Sequence, residues 1–588
     1  MIKCKKTLYI ELILIFYWCA FLTKSDSYIV PYILVGMIGV CFCITRALKG
    51  DFDSENKKSK KENVLTNLYA IVLAFAVTLA NYNFFTDLSG DGFIVCRKVI
   101  EAILIFSGSI MLFKEILQGV IHLKAIPADA ACLKNEKLIF GVLWGILVLE
   151  YAVVLFDSQN PGVLTPDSIS QMTQLLTNSY SNHHPYYHTQ MIHVMISLGL
   201  WLFGDINKAV ALYSMFSIVV MSSCFIYVVE TIYKQERNRK VAMAIFLFYL
   251  VMPFHIIYSI TMWKDVFWGA AVTCFAVSCY RCLKSIGSSK FNITVLILAS
   301  VGMALLRSNG WIAFFLSTTV FAILFGKKQK KLFLLFIMVL ISTYVLKHPV
   351  LKMLQVSQPD TVESLSIPVQ QIARVIADGK ELTEEQKQIL EQVMDIEKIP
   401  EKYKSYISDP IKELVREKNQ NYIKEHALDF VKVYLQLGIK YPHKYIEAWI
   451  DQTKGYWNSG YSYWRWTTGV RENTLGIYQN VKSQWINRAV EKYLEVWESS
   501  PFLQIFISIG LFVWGIGIVS YRALIKKNKA AFFIAIPFLA VILTLLVATP
   551  VYSEFRYAYA IFCGFPFVLA TSFEEDKNTC VGYCGTPL

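Results

Sequence analysis

The chain is dominated by apolar segments long enough to cross a lipid bilayer. Hydrophobic residues make up 55% of its 588 residues and charged residues only 17%, whereas about a quarter of the residues of a soluble globular domain are charged. A membrane-spanning helix needs about 20 apolar residues. Segments of roughly that length are predicted at 7–22, 29–46, 64–84, 93–113, 138–157, 208–230, 241–260, 265–282, 291–306, 308–326, 332–346, 501–520, 530–548 and 555–571. The sequence therefore predicts an all-α polytopic membrane protein, a bundle of about 14 spans, and excludes a soluble multidomain enzyme.

Basic residues gather between these segments and predict how the chain is oriented. The net charge is +13, with Lys and Arg clustered at 46–61, 234–240, 327–331 and 522–529. Loops rich in Lys and Arg stay on the cytoplasmic side of a membrane. The pattern predicts a multi-pass cell-membrane protein with cytoplasmic N- and C-termini. It also explains the positive charge without a nucleic-acid partner.

One apolar segment, 186–203, is predicted to lie along the outer membrane interface rather than across the bilayer. If it crossed, the basic cluster at 234–240 would fall outside, against the charge rule. The segment carries His188, His193 and two tyrosines, which suit the headgroup region. The whole loop 158–207 is then predicted to be extracytoplasmic.

These assignments divide the chain into four parts. Residues 1–137 form an N-terminal extension of four spans with cytoplasmic basic loops, and residues 138–346 form the membrane core with the outer loop 158–207. Residues 347–500 are polar and helical in pattern, which predicts an extracytoplasmic, mostly helical domain. Residues 501–588 supply the last spans and a short cytoplasmic tail.

The outer loop contains the first candidate for chemistry, Asp167. Thr165 and Pro166 before it form a helix-start signature, because threonine caps a helix and proline suits its first turn. On the predicted helix Asp167, Gln171 and Gln174 share one polar face, and the helix N-terminus favours the carboxylate form. An ionised acid at a membrane surface is a candidate general base. The alternative is that Asp167 only stabilises the helix start.

Two histidines, His183 and His184, end the same loop before Pro185. His184 and His188 have a spacing that can hold a metal ion, but no third ligand is evident. No metal ligand is therefore assigned, and a divalent metal is left open as a cofactor. The other interpretations are contact with a substrate and a hydrogen-bonded position in the interface.

Three cations, Lys264, Arg307 and Arg556, are predicted at the outer face, where few are expected. Lys264 and Asp265 form an ionisable pair at a membrane boundary, which is a functional candidate by default. The alternative is a lysine that extends to the interface beside a neutralising neighbour. No acidic partner for Arg307 is evident in the sequence. Cations on this side indicate an anionic partner, and phosphate fits.

The segment 455–466, GYWNSGYSYWRW, is dense in Trp and Tyr. Such side chains stack on the apolar faces of sugars, but they also form belts at membrane interfaces. The sequence favours neither interpretation.

The order of these motifs resembles the GT-C superfamily of membrane glycosyltransferases, including its protein mannosyltransferase-like and Rgt-like bacterial members. Those enzymes have a long outer loop with an acidic motif, a His-Pro element and an interfacial helix that ends in Leu-Phe-Gly. The chain looks especially like a group of uncharacterised bacterial membrane proteins with PG, DS..Q, HHP, WKD and E.RY patterns. The matching residues, within 138–571, are Pro161-Gly162, Asp167-Ser168 with Gln171, His183-His184-Pro185, Leu202-Phe203-Gly204, Trp263-Lys264-Asp265 and Glu554-Phe555-Arg556-Tyr557.

The resemblance implies transfer of a sugar from a polyprenyl-phosphate carrier to a glycan, lipid or protein acceptor of the cell envelope. Asp167 would deprotonate the acceptor hydroxyl as the catalytic base. The residues expected to bind substrate or the leaving phosphate are Gln171, His183, His184, Lys264, Asp265, Arg307 and Arg556.

Two alternatives stay open. Many relatives carry Asp-Glu where this chain has Asp167-Ser168, so Asp157 remains an alternative base. The alternative function is a transporter or flippase for lipid-linked glycans. A transporter would more naturally show internal repeats, and the sequence shows none.

Overall fold

A computed structural model describes residues 13–15, 18, 29–49, 60–86, 92–129, 133–236, 238–460 and 463–574. Within these residues the regular structure is helical, and extended segments pair only through isolated bridges. The predicted all-α class is therefore confirmed for this part of the chain. The predicted first span, 7–22, lies mostly outside the described residues.

Several helices are long and apolar enough to cross a membrane. There are six within the described ranges: Lys60–Ala80, Glu136–Ser158, Ile206–Glu236, Lys264–Lys284, Lys330–Met353 and Lys529–Ala548. A seventh results if Arg239–Val251 and Pro253–Ser259, which meet at a bend of 60°, form one span. Shorter apolar helices are Val30–Arg46, Ser289–Leu305, Gly310–Phe325 and Ile509–Ile525. The chain is thus a helical membrane protein, and the count of about 14 spans stays a prediction.

Helix Lys264–Lys284 lies at the centre of the membrane core. It has the largest buried share of the six candidate spans. It packs against Ile206–Glu236, Ser289–Leu305, Lys529–Ala548 and Tyr559–Ser572. Small residues allow this close approach: a Cβ on Gly269 would lie 3.0 Å from the Tyr559 ring. Its first turn therefore buries Asp265, whereas Lys264 stays partly exposed.

The loop 158–207 contributes two helices. The first, Pro166–Thr177, begins at Pro166 after the cap residue Thr165, so the predicted helix start is confirmed. We call it the loop helix. The second loop helix, Tyr186–Phe203, ends at Gly204 in the left-handed conformation that glycine adopts without strain. It is not among the six candidate spans.

The segment 347–500 is helical and has its own apolar core within residues 362–445. Its principal helices are Ser366–Ala377, Glu384–Val393, Asp409–Lys418, Gln420–Glu425, Ala427–Lys440, Pro442–Trp457 and Gln484–Ser499. Helix Pro442–Trp457 attaches this core to the end of helix Lys529–Ala548 and to the loop that follows it. Trp449 Nε1 donates to the Leu546 carbonyl at 2.9 Å, and the Tyr456 hydroxyl donates to the Val551 carbonyl at 2.9 Å.

The N-terminal helices pack on the last part of the chain. Helices Ile29–Lys49, Lys60–Ala80 and Gly92–His122 share an apolar cluster with Ile509–Ile525. Trp514 is the centre of this contact, because its ring meets both Tyr32 and Phe113. The predicted N-terminal extension is thus joined to the C-terminal helices.

Candidate functional site

A short extended segment, Val163 and Leu164, fixes the position of the loop helix. Val163 N–H donates to the Ile260 carbonyl at 2.9 Å, and Met262 N–H donates to the Val163 carbonyl at 3.0 Å. On its other edge Leu164 exchanges backbone hydrogen bonds with residues 469–471, at 3.1 and 3.0 Å. Three distant segments therefore meet just before the loop helix begins.

Side chains extend this connection to the helix start itself. Trp263 Nε1 donates to Thr165 Oγ1 at 2.8 Å, and Ser168 Oγ donates to the Met262 carbonyl at 2.9 Å. The two motifs that the sequence singled out, around Asp167 and around Lys264, are therefore held against each other.

Asp167 lies between two cations from distant parts of the chain. Its Oδ2 is 2.8 Å from Arg556 Nη1 and 3.6 Å from Lys264 Nζ. Burial would raise the pKa of the Asp167 carboxyl, but Lys264 and Arg556 outweigh burial and hold this pKa below its ordinary value. Asp167 is consequently ionised at neutral pH and, while both cations remain in place, is a weak base.

His184 accepts a hydrogen bond from Lys264. Lys264 Nζ lies 3.1 Å from His184 Nδ1, and an ammonium group can only donate. Burial lowers the pKa of His184 to about 3, and the charge of Lys264 acts in the same direction. His184 is therefore a neutral imidazole beside the Asp167 ion pairs.

Glu554 joins Asp167, Lys264 and Arg556 in one ionic cluster. Sequence reasoning missed it as a site residue. Its Oε1 lies 3.1 Å from Arg556 Nε, and the residue is only 3% exposed. Burial raises the pKa of Glu554 to about 7, although the charge of Arg556 opposes this. Glu554 can thus exchange a proton near neutral pH. Its place in the E.RY motif at the start of the last helix was the available signal.

Arg307 has an acidic partner that was not evident in the sequence. Its Nη1 lies 3.1 Å from Asp265 Oδ1, and the Asp265 side chain is fully buried. Arg307 also donates to the Tyr557 carbonyl at 3.0 Å, and its guanidinium lies 5.0 Å from the centre of the Trp268 ring. The partner was hidden from the sequence because Asp265 begins one helix and Arg307 follows the end of the next, and only the packing of these helices brings them together.

Exposure falls across the cluster from one end to the other. The Asp167 side chain is 27% exposed, and those of Lys264 and Arg556 are 15% exposed. The Arg307 side chain is only 7% exposed and Asp265 is closed to solvent. A ligand from solvent would therefore reach Asp167, Lys264 and Arg556 first. The Arg307–Asp265 pair lies at the buried end of the cluster.

Aromatic rings surround Arg556. Its guanidinium carbon lies 5.3 Å from the Trp263 ring centre, 5.2 Å from that of Tyr557 and 6.0 Å from that of Trp464. Such rings attract a cation and limit its contact with water. The aromatic segment 455–466, of which residues 461–462 are outside the described part, thus contributes Trp464 to the edge of the site.

A model of a family of unknown function, DUF6020, matches residues 171–582. The chain belongs to the DUF6020 family. No curated protein and no solved structure matches it significantly. The matched range of this DUF6020 chain contains His184, Lys264, Arg307 and Arg556, whereas Asp167 lies just before it.

Gln171 contacts the second loop helix rather than the ionic cluster. Its Nε2 donates to Thr189 Oγ1 at 2.8 Å and lies 3.0 Å from His188 Nδ1. These contacts join the loop helix to the second loop helix. In this DUF6020 protein Gln171 is therefore positioned to hold Asp167 in place through the helix. His183 is exposed and its ring contacts His184.

Asp157, the alternative base, lies at the end of Glu136–Ser158. Its carbonyl accepts from Ser483 N–H at 2.9 Å. Over the described ranges, no ion pair involves its carboxylate. The structure thus brings Asp167, and not Asp157, into ion pairs with the predicted cations.

His184 and His188 do not converge on a common point. His184 meets Lys264, whereas His188 Nε2 lies 3.0 Å from the Tyr213 hydroxyl. In the part of the DUF6020 chain that the structure describes, no group of three His, Cys, Asp or Glu side chains could hold a metal ion.

Proposed function

We propose that this DUF6020 protein is a membrane glycosyltransferase that moves a sugar from a polyprenyl-phosphate carrier to a cell-envelope acceptor. The observation that carries the proposal is the position of Asp167 between Lys264 and Arg556, at the accessible end of a buried ionic cluster. A carboxylate beside two cations supplies the two things that glycosyl transfer from a phosphate requires. These are a proton acceptor and a site for the leaving anion.

The charge of the cluster supports an anionic ligand. Lys264, Arg307 and Arg556 are balanced by Asp167 and Asp265, and by Glu554 only when it is ionised. Because the pKa of Glu554 is about 7, the protonated form leaves one positive charge in excess. A sugar linked to a polyprenyl phosphate is a phosphodiester with a single negative charge, which this excess complements.

Donor binding would activate the base. A phosphodiester that pairs with Lys264 and Arg556 removes these cations from Asp167, and the cations are what lowers the pKa of its carboxyl. Asp167 then accepts the proton of the acceptor hydroxyl. The acceptor oxygen forms a bond to the anomeric carbon, and the bond from that carbon to the phosphate oxygen breaks. Polyprenyl phosphate leaves with the electron pair, stabilised by the two cations.

We place the acceptor in a groove beside the loop helix, which Pro166 lines and Asp167 does not. A groove of about 600 Å³ follows the loop helix from Pro166, the residue before Asp167. Hydroxyl and amide groups line it on the helix side, where Ser170, Thr173 and Gln174 lie, and Arg471 and Glu472 line it opposite. Such groups suit the hydrogen bonds of a polar acceptor.

We also propose that the chain crosses the membrane about 14 times, with both termini in the cytoplasm. The outer loop 158–207 and the segment 347–500 would then face the cell envelope. The absence of Lys and Arg between Asp157 and His184 supports this side for the loop. Donor and acceptor would meet at the outer face of the membrane.

The test is a reconstituted assay with polyprenyl-phosphate sugars labelled in the sugar. Purified protein in liposomes should release free polyprenyl phosphate and move the label to an acceptor extract of the cell envelope. Empty liposomes serve as the control. Movement of the labelled lipid across the bilayer without release of polyprenyl phosphate would reject the transferase and support the flippase.

A further inference from the structure

Three tyrosines from different parts of the chain form one aromatic surface beside the ionic cluster. The ring centres of Tyr406 and Tyr463 are 6.4 Å apart, and Tyr552 lies 5.9 and 6.0 Å from them. Tyr406 belongs to the segment 347–500, Tyr463 to the aromatic segment, and Tyr552 to the loop before Glu554. We call this surface, with the adjacent Trp464, the tyrosine platform.

Backbone contacts fix the Tyr406 and Tyr552 segments of the platform against each other. Tyr552 N–H donates to the Tyr406 carbonyl at 3.1 Å, and Ser408 N–H donates to the Pro550 carbonyl at 2.9 Å. Ile407 and Val551 form an antiparallel bridge between the same two segments. Rings that are fixed in advance lose little freedom when a ligand binds.

The platform offers a ligand the apolar faces of its rings and the polar hydroxyl groups of its tyrosines. Tyr406 and Tyr463 are each 40% exposed and Trp464 is 37% exposed. Among the described residues neither the Tyr406 nor the Tyr463 hydroxyl has a hydrogen-bond partner. A ligand that stacks on these rings would therefore also need polar groups for their hydroxyls.

The platform lies near the ionic cluster through residues that are neighbours in the sequence. The Trp464 ring lies 6.0 Å from the Arg556 guanidinium and next in sequence to Tyr463. Burial raises the pKa of Tyr463, and the charge of Glu554 raises it further. Trp464 at the site and Tyr463 in the platform are thus consecutive residues, which places the platform beside the site.

We propose that the tyrosine platform binds an oligosaccharide, the glycan part of the acceptor. A pyranose ring has an apolar face that stacks on an aromatic ring and hydroxyls that pair with tyrosine hydroxyls. An isoprenoid chain fits less well, because it would cover these hydroxyls without hydrogen-bonding them. A donor sugar held at Arg556 would reach only the Trp464 end. The assignment rests on the proposed function and adds to it that the acceptor is a glycan.

Binding can be measured without any transfer reaction. Saturation-transfer NMR on the full protein in nanodiscs would be run with free glucose-, mannose- and N-acetylglucosamine-based trisaccharides, and with farnesyl phosphate as a soluble isoprenoid. At least one trisaccharide should bind the wild type. The double variant Tyr406→Ala/Tyr463→Ala should bind it about 4- to 100-fold more weakly, since each of the two lost ring contacts is worth roughly a factor of two to ten.

The matched control is Tyr478→Ala, because Tyr478 is 64% exposed and has no ring contact with the platform in the described residues. It should bind the trisaccharide as the wild type does. The double variant Tyr406→Phe/Tyr463→Phe should keep the stacking and lose only part of the affinity.

Three results would overturn glycan binding by the platform. No trisaccharide binds the wild type, the double alanine variant binds the trisaccharide as the wild type does, or the double alanine variant loses only its binding of farnesyl phosphate. Failure of the proposed function has a different readout, which is the absence of polyprenyl phosphate release in the liposome assay. A protein that binds trisaccharides through Tyr406 and Tyr463 but releases no polyprenyl phosphate would keep the platform and reject the transferase.

Discussion

Arg556 Nη1 lies 2.8 Å from Asp167 Oδ2, although 389 residues separate them in the sequence. The contact joins the loop helix to the start of the last helix, and Lys264 approaches the same oxygen from a third segment. The accessible end of the cluster is thus shared between parts of the chain that have no local reason to meet.

Asp167→Asn should insert and fold normally but lose sugar transfer. Asparagine keeps the size of the side chain and suits a helix start, but it cannot accept the acceptor's proton. Removal of a general base costs about 10²–10⁴-fold in rate. The measurement is release of polyprenyl phosphate from the labelled donor.

Asp157→Asn is the matched control for this experiment and should keep most of the activity. Transfer that survives in Asp167→Asn but not in Asp157→Asn would show that the base is misassigned. Full activity in both variants would reject the mechanism.

Arg556→Gln should weaken donor binding more than it weakens folding. A hydrogen bond to a charged group contributes about 1.5–3 kcal/mol, which corresponds to a rise of about 10- to 100-fold in the donor KM. Donor titration at fixed acceptor concentration measures it. The control is Arg488→Gln, an exposed arginine on Gln484–Ser499. An unchanged donor KM in Arg556→Gln would show that Arg556 does not bind the donor phosphate.

Arg307→Met should destabilise the protein, because it leaves the fully buried Asp265 carboxylate without its cation. Breaking a buried ion pair on one side costs about 3–5 kcal/mol, whereas replacing both partners by apolar residues is often neutral. Thermal unfolding in detergent should therefore show a lower Tm for Arg307→Met and recovery in Arg307→Met/Asp265→Leu. A wild-type Tm with a raised donor KM would instead make Arg307 a direct phosphate ligand, as the sequence predicted.

Glu554 should make stability depend on pH between about 4.5 and 7. Its carboxyl has an ordinary pKa of 4.5 and a pKa of about 7 in the folded protein. Below pH 4.5 both folded and unfolded chains hold the proton. As the pH rises towards 7 the unfolded chain releases its proton first, so stability falls by on the order of 3 kcal/mol.

Glu554→Gln has no such proton, so its Tm should rise relative to that of the wild type when the pH increases from 5 to 8. The comparison cancels the pH dependence of other groups. A difference in Tm that stays constant over this range would show that the Glu554 carboxyl is not perturbed.

The topology predicts where reporter fusions will be found. A reporter after Gly204 should be at the outer side and one after Lys240 in the cytoplasm. Both positions flank Ile206–Glu236, a candidate span. If the Gly204 fusion is cytoplasmic, the second loop helix crosses the membrane and the outer position of Asp167 is wrong.

Local signals predicted the loop helix well. Thr165 and Pro166 define its start without help from the rest of the chain, and the helix begins there. The helical spacing of residues 167, 171 and 174 also predicted that Gln171 shares a face with Asp167. Four residues advance a helix by about 40° beyond a full turn, and in the folded protein this turns Gln171 towards Thr189 and His188.

Pairings made by tertiary packing could not be predicted in this way. Arg307 and Asp265 lie at the ends of neighbouring helices, and only the packing of those helices reveals their ion pair. Glu554 was visible in a motif, but its raised pKa results from burial among groups distant in sequence. The chemistry of a charged side chain depends on its neighbours, and the sequence names candidates without saying which of them meet.

The segment Val163 and Leu164, held between residues 260–262 and 469–471, has a consequence for biosynthesis. The ribosome synthesises the loop helix long before it reaches residues 469–471, which pair with Leu164, and long before it reaches Arg556. During translation Asp167 is therefore displayed without its closest cation, while the later helices are still entering the membrane. The cluster closes only when almost the whole chain has been made, so an unfinished chain carries the acid without the assembled centre.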